Sequence, residues 1–305
     1  MPTPTRLAIA VATLLVVAAC SGPAAPPSAA PPSAAPSGSP SSSPSSAPDA
    51  QSYWLRMTTT QAIPPLNLFE VQAPLVITGD GIAVTNGPVP AIYPGPLMPN
   101  LIGRRVSAAG EAAIIQAAGG LGLLAGKTDF TGGGMVIGGV IGHIEMTVDG
   151  RRVELIGNPS AQIVCVTTPC HPAAGTPEAF GELWRRLGDL RGWLGAELGP
   201  ETSYVATSYA LLVGPAPRQD PMFTQPPADW PLDQPIAQFG GPVANGTARC
   251  GTVSGADADT VRPALQAANQ LTQWTQDPQS SASYGLTIRP MVPGEDVCRE
   301  IFGTG

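Results

Sequence analysis

Two carboxylates and an imidazole occur at spacings that could place them on one face of a β-hairpin. Residues 143–155 alternate apolar and polar side chains around an Asp-Gly pair, which is typical of two strands joined by a two-residue turn. In this register Glu145 lies opposite Glu154, and His143 lies two residues along the strand from Glu145. Carboxylates this close can share a proton or, together with an imidazole, hold a metal ion. These three residues are therefore a candidate face for a hydrolase or a metal-dependent enzyme.

The same register also allows a purely structural interpretation of the hairpin. Arg152 lies diagonal to Glu145 and can relieve the repulsion between the two carboxylates on a solvated face. The apolar residues share the other face, which we expect to be buried: Met146 opposite Val153, and Ile144 opposite Leu155. The structural interpretation is favoured, and the sequence predicts neither a metal site nor a cofactor.

Other patterns of catalytic residues are weak. The chain has two histidines, His143 and His171, and it contains neither an H-E-x-x-H motif nor a G-x-S-x-G nucleophile elbow. A Ser-His-Asp triad assembled from distant parts of the chain stays open, because such a triad needs no local motif. The sequence thus assigns no catalytic residue and favours a non-catalytic role.

An apolar run near the amino end has the pattern of a secretory signal. Arg6 precedes about 13 uncharged residues from Leu7 to Ala19, and a membrane-spanning helix would need about 20. The run ends Val-Ala-Ala-Cys, which resembles the lipobox of bacterial lipoproteins. The resemblance implies cleavage before Cys20 and acylation of Cys20. We therefore expect residues 1–19 to be a signal peptide; an ordinary signal peptide without lipidation is the alternative.

Residues 20–50 are expected to form the lipidated cysteine and a tether. Beyond Cys20 the segment is almost entirely Ser, Ala, Pro and Gly, and Asp49 carries its only charge, so it cannot form a core. In a polyproline II conformation, at about 3.1 Å per residue, it would reach roughly 90 Å. The tether would hold the folded part at the extracytoplasmic face of the cell membrane.

The remaining cysteines predict disulfides. Four of the five cysteines are left once Cys20 is lipidated, and an even number outside the cytosol indicates two bridges. Three pairings are possible, and we favour Cys165–Cys170 and Cys250–Cys298 because each pair lies within its own segment. A zinc site of four thiolates would need C-x-x-C pairs, which neither half provides.

Composition limits the classes of partner. The net charge is −7, and the 15 basic residues form no run, so the sequence does not predict nucleic-acid binding. Hydrophobic residues make up 43% of the chain and charged residues 12%, which indicates an apolar, loop-rich folded part. The expected partners are the membrane, through the lipid, and an envelope protein or a cell-wall polymer.

The order of the predicted elements argues for an α+β fold, in which antiparallel hairpins pack with two or three helices and disulfides stabilise the whole. Strands are predicted at 53–58, 75–78, 82–85, 143–155 (as a hairpin), 204–213 and 284–288. Helices are predicted at 108–118, 176–198 and 261–274. We expect an α+β domain over residues 51–215, with a smaller C-terminal α+β subdomain over 216–305 packed on it.

Several of these features together resemble uncharacterised envelope lipoproteins of GC-rich bacteria. The residues that carry the resemblance are the lipobox at Cys20, the Ala/Pro/Ser tether, Asp80-Gly81, Trp230-Pro231, Cys250, Trp274 and the ending Arg289-Pro-Met-Val-Pro-Gly-Glu295-x-x-Cys298. The resemblance implies the Cys250–Cys298 pairing and brings no activity with it. We therefore expect a lipid-anchored, non-catalytic binding module of the cell envelope; an envelope enzyme that uses His143, Glu145 and Glu154 is the alternative.

Overall fold

The structure, a computed structural model, groups Ser46–Gly305 into one compact unit. It describes residues 52–61, 63–132, 139–162, 171–219, 221–276 and 281–303. Within these ranges every helix is too short or too polar to cross a lipid bilayer.

Fourteen strands and six α-helices occur among the described residues. The strands are β1 (Tyr53–Thr60), β2 (Leu75–Thr78), β3 (Ile82–Asn86), β4 (Leu101–Arg105), β5 (Asp129–Phe130), β6 (Ile141–Val148), β7 (Arg151–Gly157), β8 (Thr202–Ser203), β9 (Ser208–Pro215), β10 (Ala228–Asp229), β11 (Gly241–Val243), β12 (Ala248–Ser254), β13 (Trp274–Thr275) and β14 (Tyr284–Pro290). The helices are α1 (Pro65–Phe69), α2 (Ala108–Gly120), α3 (Pro177–Gly188), α4 (Leu190–Leu194), α5 (Gly255–Ala267) and α6 (Val297–Phe302).

The strands form two sheets, here called sheet A and sheet B. Sheet A has the order β5-β7-β6-β1-β2-β3-β4-β8, and sheet B has the order β10-β13-β14-β9-β12-β11. All neighbouring strands are antiparallel except β5 with β7 and β10 with β13. The predicted mixture of helices with antiparallel hairpins is therefore confirmed.

The hairpin of β6 and β7 forms in the predicted register. Its turn residues Asp149 and Gly150 have φ values of 50° and 72°, as a two-residue turn that matches the strand twist requires. Glu145 lies opposite Glu154 in this pairing. The apolar residues Ile144 and Leu155 are fully buried on the other face. Local turn chemistry and alternation were enough to fix the register.

Helix α2 confirms its prediction, whereas the helix predicted over residues 176–198 is interrupted. The Ser107 side chain caps α2 and accepts a hydrogen bond from the Gly110 amide at 3.1 Å. Thr176 caps α3 as expected, but α3 ends at Gly188. Asp189 leaves the helical conformation and its side chain caps the separate helix α4, because an Asp side chain competes well for free backbone amides.

Helix α5 begins six residues before the predicted start. The prediction placed Pro263 in the first turn and began the helix near Val261, but α5 starts at Gly255 and contains Pro263 in its interior. Burial of Ala258, Val261 and Leu265 on one face outweighs the lost backbone hydrogen bond. Trp274, predicted at the end of this helix, lies instead in strand β13.

Sheet A carries helices on one face, whereas sheet B carries α5 on one face and α1 and α6 on the other. Helices α2, α3 and α4 cover one face of sheet A around Leu55, Ile144 and Phe180. Helix α5 covers one face of sheet B around Leu211 and Trp274. The predicted domain boundary between residues 215 and 216 stays a prediction. Strand β9, which ends at this boundary, pairs with β12 and β14 in the middle of sheet B.

The segment from Arg289 to Cys298 joins the two sheets through their other faces. Val292 packs with Val76 and Val84 of sheet A. Val297 and Cys298 pack on sheet B, where Cys298 forms a disulfide with Cys250 across a Cα–Cα distance of 5.6 Å. The predicted Cys250–Cys298 disulfide is therefore present. Cys20, Cys165 and Cys170 lie outside the described residues, so their predicted roles stay predictions.

A buried ion pair holds this segment in place. The Arg289 guanidinium donates to the Glu295 carboxylate at 2.5 Å and to the Val71 carbonyl at 2.6 Å. The second Glu295 oxygen accepts from the Val292 amide at 3.1 Å. The Glu295 side chain is fully buried, so the charge of each group compensates the other away from water.

We predict that Glu295→Gln lowers the free energy of unfolding by about 3 kcal/mol, because the neutral amide leaves the Arg289 charge buried without a counter-ion. Chemical denaturation of the purified chain measures this loss. The matched control is Glu201→Gln, which removes the exposed ion pair with Arg104 and should cost less than about 1 kcal/mol. Equal losses in the two variants would contradict a central role for the buried pair.

Candidate functional site

The three residues of the predicted face lie on the side of sheet A that α2, α3 and α4 do not cover. Strand β6 lies between β1 and β7. Glu145 on β6 therefore has Arg56 of β1 opposite it on one side and Glu154 of β7 opposite it on the other. A β-bulge between Tyr53 and Leu55 turns the Tyr53 side chain onto this face. We call Tyr53, Arg56, His143, Glu145, Arg152 and Glu154 the polar face.

Glu145 is engaged by two donors on neighbouring strands. Its Oε2 atom accepts a hydrogen bond from the Tyr53 hydroxyl at 2.6 Å and pairs with the Arg152 guanidinium. Arg152 also stacks over the Tyr53 ring, 4.3 Å from the ring centroid. The proposed compensation of Glu145 by Arg152 is therefore confirmed, and Tyr53 adds a second partner.

His143 and Glu154 contact each other only loosely. The His143 Nδ1 atom lies 3.4 Å from a Glu154 oxygen, and its Nε2 atom lies 3.0 Å from the Thr60 hydroxyl. The Glu154 side chain is 54% exposed, against 23% for Glu145, so the two opposed carboxylates have different surroundings. Among the described residues, no group of three or more His, Cys, Asp or Glu side chains could hold a metal ion.

Burial is the main cause of a raised pKa at Glu145. The negative charges of Glu154 and Glu300 raise it further, while the positive charges of Arg56 and His143 lower it. The carboxylate that titrates unusually is thus already bound by Tyr53 and Arg152. The polar face is best described as a hydrogen-bonded network that orders sheet A.

A cleft of about 280 Å³ begins beside the polar face. One wall is β1, with Arg56 and residues 58–60, and the opposite wall is the segment after α1, with Val71 and Gln72. Arg289 and Glu300 complete it from the C-terminal segment. Sequence analysis missed this cleft, because Arg289 and Glu300, which complete it, follow the two walls by more than 200 residues in the chain.

A second candidate surface is an exposed apolar cluster formed by Ile92, Tyr93, Met222 and Phe223. Tyr93 and Phe223 meet edge to face, with ring centroids 5.4 Å apart. Their side chains are 56% and 41% exposed, and those of Ile92 and Met222 are 64% and 84% exposed. Large apolar side chains gathered at one exposed place typically mark an interaction site.

The two loops that carry this cluster are fixed to the same segment, residues 268–272. In the first loop, the Leu97 amide donates to the Ala268 carbonyl at 3.1 Å and the Gly95 carbonyl accepts from the Gln270 amide at 3.0 Å. In the second, Gln225 and Asn269 exchange side-chain hydrogen bonds at 2.8 and 3.1 Å. The apolar cluster is therefore held on a common frame. The abundance of proline in both loops, at 88–99 and 215–227, was the sequence signal that could have located it.

Comparison of the chain with protein-family models, with curated proteins and with solved structures finds no match.

The pH dependence of stability tests the network around Glu145. Because burial raises its pKa in the folded state, the folded protein binds this proton more tightly than the unfolded chain does. The stability that Glu145 contributes at low pH is therefore lost as pH rises through the raised pKa. We predict that Glu145→Gln gains stability relative to the parent protein as pH rises above the ordinary range of carboxyl pKa values, by about 1 kcal/mol or less.

Urea denaturation at a series of pH values measures this difference. Glu154→Gln is the matched control, since it removes the more exposed carboxylate from the opposing strand and should show a smaller change with pH. The opposite result would be a parent protein that becomes more stable relative to Glu145→Gln as pH rises. It would show that the ion pair with Arg152 stabilises the charged carboxylate more than burial destabilises it.

Proposed function

We propose that this chain is a lipoprotein anchored at the extracytoplasmic face of the cell membrane, and that its folded part is a non-catalytic module that binds another protein of the envelope. The exposed apolar cluster carries the proposal of a protein partner. The Cys20 motif, the tether and the Cys250–Cys298 disulfide support the location, because disulfides persist in oxidising compartments.

The physics of the apolar cluster suits a protein partner better than a polymer of sugars. Aromatic side chains and Met are enriched where proteins bind each other, and burying Tyr93 and Phe223 would contribute most of the affinity. The frame at residues 268–272 already orders both loops, so little conformational entropy is lost on binding. The tether adds to this by keeping the module concentrated near membrane partners.

The enzyme alternative has weaker support. Acid–base chemistry at the polar face would need a carboxylate free to reach a substrate, and Tyr53 and Arg152 both occupy the same oxygen of Glu145. Glu154 and His143 are left with one long contact between them. These contacts favour a structural role for the polar face.

The anchor is tested by the mass of the chain purified from membranes. We predict that the mature chain begins at Cys20 and carries acyl chains, and that Cys20→Ser abolishes both cleavage and acylation. The matched control replaces Cys165 and Cys170 together by Ser, which should leave processing unchanged. A parent chain that begins at another residue, or that begins at Cys20 without added mass, would contradict the anchor.

The binding surface is tested by crosslinked capture from solubilised envelope with the full chain in detergent. We expect one saturable partner that free protein competes away and that the double variant Tyr93→Ser, Phe223→Ser no longer captures. The control double variant, Val140→Ser and Ile141→Ser, removes exposed apolar residues at the start of β6 and should capture normally. Equal capture by both variants would exclude the apolar cluster as the binding surface. Capture of no protein by the parent chain would contradict a protein partner and favour a cell-wall polymer as the ligand.

A further inference from the structure

A groove lies between the end of α1 and strand β14 of sheet B. It consists of two adjoining cavities of about 420 and 440 Å³. Four residues line both cavities, namely Glu70, Gln270, Leu286 and Thr287, so the two are parts of one surface. We call this surface the groove. It shares no lining residue with the cleft beside the polar face.

The groove contains a glycine that packing within the protein does not require. Gly214 of β9 lies opposite Gly285 of β14, and both line the groove. At Gly285 a Cβ would come within 2.7 Å of the Pro215 carbonyl oxygen, so only glycine fits. At Gly214 a Cβ would have no other part of the chain within 4 Å. Glycine inside a strand weakens it and often marks a place where a ligand or another backbone approaches closely.

One carboxylate provides the charge of the groove. Among the residues that the structure describes, Glu70 is the only charged one that lines either cavity. It is exposed, and no ion pair within the described part of the chain involves it. The whole chain has a net charge of −7, which acts in the same direction. A cationic group therefore complements the groove, whereas an anionic one would be repelled.

The two loops that carry the exposed apolar cluster also form walls of the groove. Val89 and residues 96–99 belong to the first loop, and Pro215 and Pro217 belong to the second. The segment that fixes both loops, residues 268–272, contributes to the lining as well. The groove is therefore continuous with the surface that we propose binds a protein. Each of its cavities exceeds about 300 Å³, the size at which ligand pockets begin.

We propose that the groove holds an extended segment of the protein partner with one lysine or arginine, whose cationic group pairs with Glu70. The backbone of this segment passes over Gly214, where the missing side chain lets it approach sheet B. This inference rests on the proposed function, because it names the part of the partner that the chain recognises. Its test uses defined peptides, so it does not depend on capture of a partner from the envelope.

Affinity selection on the immobilised full chain in detergent tests the groove. The probes are libraries of acetylated, amidated hexapeptides with lysine, arginine, glutamine or glutamate fixed at the third position and Ala, Val, Leu, Pro and Thr mixed elsewhere. We expect the lysine or the arginine library to be enriched about two- to fivefold over the glutamine library, the factor that corresponds to one exposed ion pair, and the glutamate library to be enriched least. Equal enrichment of all libraries, or enrichment of none, would overturn the proposal and would leave the capture result for the apolar cluster as it stands.

Gly214→Val tests the floor of the groove. Valine suits a strand, and its side chain would occupy the groove at a position where it meets no other part of the chain. We expect the most enriched peptide to bind about tenfold more weakly or worse by fluorescence anisotropy, while the unfolding temperature stays the same or rises. The matched control is Gly120→Val at the end of α2, where a Cβ also has open space and binding should not change. Unchanged binding in Gly214→Val would overturn the proposal.

Glu70→Gln tests the charge of the groove separately from its shape. The lysine or arginine peptide should bind about two- to fivefold more weakly to this variant, and added salt should reduce the difference from the parent protein. The matched control is Glu201→Gln, which removes an exposed carboxylate outside the groove and should leave binding unchanged. Equal affinity of Glu70→Gln and the parent protein would show that Glu70 is not the counter-ion, and the proposal would fail.

Discussion

A guanidinium group enclosed within a protein must find acceptors for its N–H groups, and Arg289 finds them on two distant parts of the chain. Glu295 neutralises its charge, and the carbonyl groups at the end of α1 and just after it accept from the same guanidinium. Neither charge is tolerated alone in this environment. Folding must therefore assemble three parts of the chain in one cooperative step: strand β14, the turn before α6 and the end of α1. The contact between sheets A and B depends on this arrangement.

The ion pair also determines what surrounds the cleft. It places Gly294 against the Tyr53 ring, where any Cβ would come within 2.3 Å of a ring carbon and where φ is +82°. Tyr53 in turn reaches Glu145, so the order of the polar face follows from the same turn. The segment from Arg289 to Cys298 thus has a structural role in this chain.

Local features of the sequence predicted local structure well. The Asp149-Gly150 turn and the alternation around it gave the register of β6 and β7, and Ser107 and Thr176 gave the starts of α2 and α3. Two predictions from single residues were wrong. Pro263 lies inside α5 instead of in its first turn, because burial of one face of the helix outweighs the lost hydrogen bond. Asp189 interrupts the long helix that was predicted, because its side chain caps α4. The Cys250–Cys298 pairing was accessible because the number of cysteines limited the choices.

The cleft and the position of Tyr53 were beyond local reasoning. Alternation from Leu55 and Met57 places Tyr53 on the helix-covered face, and only the bulge in β1 reverses this. Glu300 approaches Arg56 from 244 residues away, and no periodicity reports such a contact. Proline-rich loops were read as connections, although the abundance of proline in an ordered loop can also indicate a fixed surface.

The order of the joining segment along the chain has a consequence for synthesis. Sheet A is complete in sequence by residue 203, whereas the residues that cover its second face follow every strand. A growing chain therefore carries a sheet with one bare side for the time in which about a hundred residues are added, at roughly 5–20 residues per second. Tyrosine, arginine, histidine and glutamate on part of that side keep it compatible with water, so an unfinished chain presents less of the apolar surface that leads to aggregation.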